Sequence, residues 1–120
     1  MKVAFRVDAS YQIATGHVIR CLTLANALRQ QGAECLFISR ALEGNLNDVI
    51  RDEGHALREL PPDPNRCLTL PSSPPHAHWL ETQWQNDAKQ TATILQGFSP
   101  DWLIVDHYAL DIQWENTLRP

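Results

Sequence analysis

The residue of this chain best suited to chemistry is His17, which follows Gly16 in the run Ala14-Thr15-Gly16-His17. An imidazole is the side chain whose ordinary titration lies nearest neutral pH, so it serves as a general base or acid. Glycine beside it leaves the backbone bare for a ligand to approach, or simply eases a turn. Asp8 and Ser10 lie just upstream and can orient His17 or a substrate hydroxyl; each can equally cap the loop. Asp106, His107 and Tyr108 form a second polar cluster near the other end of the chain. Arg20 stands one helical turn after His17, within reach of a phosphate or of an acidic neighbour. Cys21 has i, i+4 spacing to His17, which would suit a metal. No second cluster at zinc-site spacing supports that, so Cys21 reads as core. His76 and His78 are a weaker metal pair, and no residue is marked as a Ser or Cys nucleophile.

The elements that must position these groups are legible from periodicity. Val3–Val7 is apolar apart from Arg6 and predicts a buried parallel strand. Arg6 within it must carry its charge to the sheet end or pair with an acid. Val18, Cys21, Leu22, Ala25 and Leu28 recur at helical spacing and predict a helix from Val18 to Gln31, capped by Gly32. Glu34–Ser39 predicts a second strand, with Cys35 in the core. Glu43–Glu53 predicts a helix stopped by Gly54, and His55–Leu60 a third strand. Pro61, Pro62, Pro64, Pro71, Pro74 and Pro75 mark residues 61–75 as a long surface loop. Trp79–Gln96 predicts a helix closed by Gly97, Trp102–Asp106 a fourth strand, and Leu110–Leu118 a last helix.

This βαβαβ alternation predicts one α/β domain, a Rossmann-like parallel sheet with helices on both faces. In doubly wound sheets strands one and four are neighbours and strand three lies outside them. Ligands sit beyond the carboxyl ends of the strands. Asp8 with the loop to His17, and Asp106 with His107 and Tyr108, would therefore meet on one edge. A strand, a glycine-containing loop and a helix N-terminus together suit an anionic or sugar-phosphate ligand.

Composition excludes several partner classes. The 120 residues suffice for one core. A net charge of -4 with no block of Lys and Arg argues against nucleic acid or an anionic membrane surface. No apolar run is long enough to span a bilayer, and the amino terminus lacks signal-peptide character. Three cysteines make no disulfide framework, so a cytoplasmic, reducing location is expected.

The stretch FRVDASYQIATGHVIRCLTLANALRQQGAECLFISR, with LEGN and DWLIVDHYALDIQWE, strongly resembles the amino-terminal half of the UDP-2,4-diacetamido-2,4,6-trideoxy-β-L-altropyranose hydrolases of pseudaminic acid biosynthesis. The resemblance runs from Met1 to about Glu115 and rests on the ordered set D-A-S, G-H-V-x-R-C and D-H-Y. It implies the amino-terminal lobe of a two-lobed GT-B glycosyltransferase fold. It implies metal-independent hydrolysis without a cofactor, water replacing UDP at the anomeric carbon with inversion. His17 matches the general base and Tyr108 an active-site residue. Asp8, Ser10, Gly16, Arg20, Asp106 and His107 fall on supporting, substrate-binding positions. Ala14 stands where the family usually has Gly, which implies a strained or reshaped loop if that position needs positive φ. The second lobe, which would carry most UDP contacts, lies outside these 120 residues. The chain is then expected to be incomplete alone, or to dock a separately encoded lobe through an apolar surface near Leu110–Leu118. A non-catalytic sugar-binding lobe is the alternative.

Overall fold

A computed structural model describes residues 1–64 and 77–119. Four strands form one sheet: β1 (Lys2–Val7), β2 (Glu34–Arg40), β3 (Ala56–Leu60) and β4 (Trp102–Asp106). Their order is β3-β2-β1-β4 and every pairing is parallel. Among the described residues three helices connect them, α1 (Gly16–Gln30), α2 (Asn47–Asp52) and α3 (Trp84–Phe98), and α4 (Ile112–Leu118) follows β4. A single 3₁₀ turn at Ala77–Leu80 precedes α3. This is the α/β, Rossmann-like arrangement expected, with β1 and β4 adjacent and β3 at an edge.

Strand alternation decides which side chains face which helices. Val3, Phe5 and Val7 of β1 join Cys35 and Phe37 of β2 in a core with Val18, Cys21, Leu22 and Ala25 of α1 and Ile50 of α2. Phe5 and Phe37, paired in register, stack with ring centroids 4.8 Å apart. The alternate residues Leu36 and Ile38, with Leu60 of β3, meet Ile94, Leu95 and Phe98 of α3. Leu103 and Val105 of β4 meet Trp114 of α4 and Ala88 of α3. Each fully buried Val, Leu, Ile or Phe of these layers contributes about 1.5–3 kcal/mol.

Arg6 shares the α3 face and brings its charge into the interior. Its guanidinium binds Asp8 through Nη1 (2.6 Å) and Nη2 (3.0 Å). It binds Asp87 of α3 through Nε (3.1 Å) and Nη2. Nη1 also reaches the Ile38 carbonyl at 3.4 Å, so all five guanidinium N–H groups have acceptors. Arg40 donates from Nη2 to Asp87 (2.7 Å) and from its backbone N–H to Asp8 (2.7 Å). The Trp114 indole N–H donates to Asp87 Oδ1 at 2.9 Å. Arg6, Asp8, Arg40, Asp87 and Trp114 are all 0% exposed. Two cations and two carboxylates thus neutralise one another in the core.

Local chemistry moved several element boundaries from those expected. α2 is shorter than Glu43–Glu53. Gly44 sits at φ 85°, and the Asn45 side chain bonds the Leu42 carbonyl and the Asn47 N–H, holding a turn where helix was expected. A side chain at Gly44 would also collide with Tyr11, 2.9 Å away. α3 starts at Trp84, because Glu81 at φ 58° breaks the chain after the 3₁₀ turn. It runs through Gly97 and ends at left-handed Ser99, before Pro100. The apolar residues of 110–118 mostly pack inward: Trp114 is fully buried and Leu110 nearly so, leaving Ile112 exposed. The expected apolar docking surface there shrinks to that one side chain among the large hydrophobics of the segment. Of the proline-rich loop, residues 61–64 are irregular, as expected. Residues 65–76, which take in the rest of that loop and His76, lie outside the described residues, as does the side chain of His78.

Removing one partner of the buried cluster strands an uncompensated charge. Arg6→Met and Asp87→Ala are each expected to cost about 3–5 kcal/mol in urea unfolding. The carboxyls of Asp8 and Asp87 are pushed up by burial, but Arg6, joined by His107 at Asp8 and by Arg40 at Asp87, outweighs this and holds both below the usual range. A lowered folded pKa gives stability that is complete above the unfolded value and lost as pH falls. Stability is therefore expected to decline below about pH 5, measured by urea midpoints across acid pH. Ala14 occupies φ 64°. Ala14→Gly is expected to raise stability by about 1 kcal/mol, a gain visible as a higher urea midpoint.

Candidate functional site

The loop between β1 and α1 is built by short-range bonds. Ser10 Oγ accepts from the Ile13 N–H (3.0 Å), and the Ser10 carbonyl accepts from the Ala14 N–H (2.7 Å). This compact turn delivers the chain to α1, whose first residue is Gly16. Gly16 is not at positive φ, and an added Cβ there would meet nothing within 4 Å. Turn geometry therefore does not require glycine at this position. What glycine supplies is bare backbone at the start of a 15-residue helix, where N–H groups lack partners.

His17 is 8% exposed and meets Asp106 from across the sheet edge. Asp106 pairs in register with Val7, whose side chain faces α1, so the same alternation aims its carboxylate at α1. His17 Nδ1 lies 2.6 Å from Asp106 Oδ1. The carboxylate only accepts, so in the neutral ring we assign the proton to Nδ1 and the lone pair to Nε2. A carboxylate holding one ring nitrogen while the other is left basic is the arrangement of an oriented general base.

Arg20 is bidentate on the same carboxylate, Nε to Oδ2 at 2.9 Å and Nη2 to Oδ1 at 2.8 Å. Of the two roles open to Arg20, the salt bridge is the one occupied here. Burial raises the Asp106 carboxyl, yet the hydrogen bonds from Arg20 and His17 outweigh it and hold the group below its usual range. Cys21 Sγ lies 3.9 Å from Asp106. Burial, then the Asp106 charge, pushes the Cys21 thiol up to about 12, so it is not a thiolate at neutral pH. Tyr108 sets its ring edge-on to His17, with centroids 4.7 Å apart, and is 58% exposed.

Two expected site residues sit elsewhere. Asp8 does not touch His17; it is buried at the carboxyl end of β1 and bonded to Arg6, Arg40 and His107. His107 is buried too. Its Nε2 lies 2.8 Å from Asp8 Oδ2, and its Nδ1 accepts from the Ala109 N–H at 3.1 Å. The two hold the turn after β4 to the end of β1 and present no polar edge to a ligand. The orienting acid for His17 is Asp106, not Asp8 or Ser10. Asp87 is the residue sequence reasoning passed over. The signal for it was Arg6, a charge in an apolar strand that demanded a buried acid.

A cavity of about 410 Å³ opens at the same sheet edge, lined by Ser10, Tyr11, Gln12, Leu42, Glu43 and Pro62 among others. It lies among the loops after β1, β2 and β3, and His17 and Tyr108 are not part of its lining. Among the described residues no three His, Cys, Asp or Glu side chains are grouped so as to hold a metal ion. No helix among them is long and apolar enough to cross a membrane.

Gly16→Ala is expected to leave the urea midpoint undiminished; a loss above about 0.5 kcal/mol would show that the turn needs glycine. Cys21 is expected to resist alkylation by iodoacetamide at pH 7.5 in the folded chain, read residue by residue by peptide mass mapping. Compared with models of known protein families and with curated proteins, the chain matches none of them.

Proposed function

We propose that this chain is the catalytic-base lobe of a UDP-sugar hydrolase, with UDP-2,4-diacetamido-2,4,6-trideoxy-β-L-altrose as substrate. The observation that carries the reading is the 2.6 Å contact between His17 Nδ1 and Asp106 Oδ1 at the carboxyl edge of a parallel sheet. It leaves Nε2 to take a proton from water as the water attacks the anomeric carbon. The C–O bond to UDP breaks as the new C–O bond forms, and attack from the opposite face inverts the centre. Asp106 keeps the ring oriented and stabilises the imidazolium that results. The bare backbone at Gly16 and the N-terminus of α1 suit a sugar-phosphate close to that base.

In this reading the chain corresponds to the amino-terminal lobe of a GT-B fold, acting in the cytoplasm without metal or cofactor. A second lobe supplies most contacts to UDP, either from further sequence or from a separate chain. The support for this identity is the motif set D-A-S, G-H-V-x-R-C and D-H-Y together with the His17–Asp106 pair.

UDP release is the test. In the two-lobed enzyme, His17→Ala is expected to lower release by about 10²–10⁴-fold with the fold intact. Asp106→Asn, which changes the partner of Nδ1 but not its shape, is expected to lower it as well. Undiminished turnover in His17→Ala removes His17 from the role of base. For the 120-residue chain alone little release is expected; release that His17→Ala abolishes would mean that one lobe suffices.

A further inference from the structure

Tyr108 stands on a turn after β4, largely exposed, yet its ring is set against His17 in one defined orientation. An exposed aromatic side chain on a turn loses rotamer freedom when held, so the contacts that hold it set its placement. The ring of Trp79 lies against Tyr108, with centroids 6.3 Å apart and planes 30° from parallel. Trp79 is in turn packed on the cluster of Leu80, Ala88, Ala109, Leu110 and Trp114. One end of the contact is therefore anchored in the core and the other reaches the site.

From this we infer that Trp79 is a positioning residue: it holds Tyr108 against His17 and so fixes the wall beside the proposed base. The contact chain is the buried cluster of Leu80 and Trp114, then Trp79 packed against that cluster, then Tyr108, then His17. Aromatic pairs at these separations are held by packing and by the ring quadrupoles, so an aliphatic residue fills the space without holding the geometry. Trp79 lies on the 3₁₀ turn that leads into α3, a segment far in sequence from both His17 and Tyr108. Nothing in its local sequence marks it. The catalytic consequence rests on the reading of His17 as base, whereas the placement of the Tyr108 ring does not.

The test uses the whole chain, labelled with ¹⁵N and ¹³C, and reads the His17 ring resonances by NMR. Tyr108→Leu supplies the reference in which the Tyr108 ring current is gone. In Trp79→Leu, which keeps apolar bulk, the His17 ring signals are expected to move toward that reference. In Trp79→Phe they are expected to stay near the wild-type position. The Trp114 indole N–H, bonded to Asp87, serves as the marker that the core is intact. Wild-type His17 signals in Trp79→Leu overturn the inference, and so does an equal displacement in Trp79→Phe. UDP release by the two-lobed enzyme then decides the consequence, with Trp79→Leu expected to lose turnover and Trp79→Phe to restore it. Displaced His17 signals with full turnover in Trp79→Leu overturn the catalytic role. Absence of release from the wild-type enzyme strikes the hydrolase reading instead, and the NMR result still decides the positioning.

Discussion

The structure depends on one buried guanidinium. Arg6 sits in the middle of the sheet, and a cation there is tolerable only if carboxylates surround it. Asp8 lies two residues on, just past the end of the same strand, and turns to the same side as Arg6. Asp87 comes from α3, which must dock over β1 and β2 for its carboxylate to reach Arg6 and Arg40. Trp114 of α4 then donates to the same Asp87, fixing α4 beside α3. Replacing such a cluster with apolar side chains can leave a protein equally stable, so its value lies in selecting one arrangement of elements. In the observed register of α3 on the sheet, all five N–H donors of Arg6 find acceptors.

The candidate site stands on the opposite face and is tied to this cluster by a short bridge. Asp8 binds Arg6 and also His107, and His107 lies between Asp106 and Tyr108 in the chain. Anchoring His107 inward leaves its neighbours to serve the edge. Asp106 turns toward α1 and meets His17; Tyr108 lies on the turn and meets the His17 ring. The polar residues of the two clusters thus divide into a buried set that holds the strand ends together and an edge set that gathers around His17. That division explains why Asp8 and His107, which look like site residues in the sequence, are structural in the fold. It also gives Asp106 three tasks at once: it orients His17, pairs Arg20 and raises the Cys21 thiol.

Much of this was legible beforehand. The alternation of apolar strand and amphipathic helix specified a parallel sheet, and the doubly wound order brought Asp106 to His17 across 89 residues. Gly32, at φ 89° after α1, was readable as the end of that helix. Less was legible where short polar side chains compete with helix formation. The Asn45 bonds, of about 1 kcal/mol each, shortened α2, and the left-handed backbone at Glu81 delayed α3. Gly97 was misleading in the other direction: a glycine inside a helix costs less than the packing of Ile94, Leu95 and Phe98 returns.

By itself the sequence determined the fold class, the helix that follows the Gly16-His17 loop (expected from Val18, and found to start at Gly16), and the two polar clusters that share one edge. Those follow from periodicity and chain topology, which local residues encode. Only the tertiary structure decided which acid pairs with which imidazole or guanidinium. A carboxylate's partner depends on the parity of its strand position and on which helix covers that face, and neither is a property of its neighbours in sequence. So Asp106 rather than Asp8 orients His17, Asp87 rather than any nearby acid neutralises Arg6, and Trp79 comes to rest beside Tyr108.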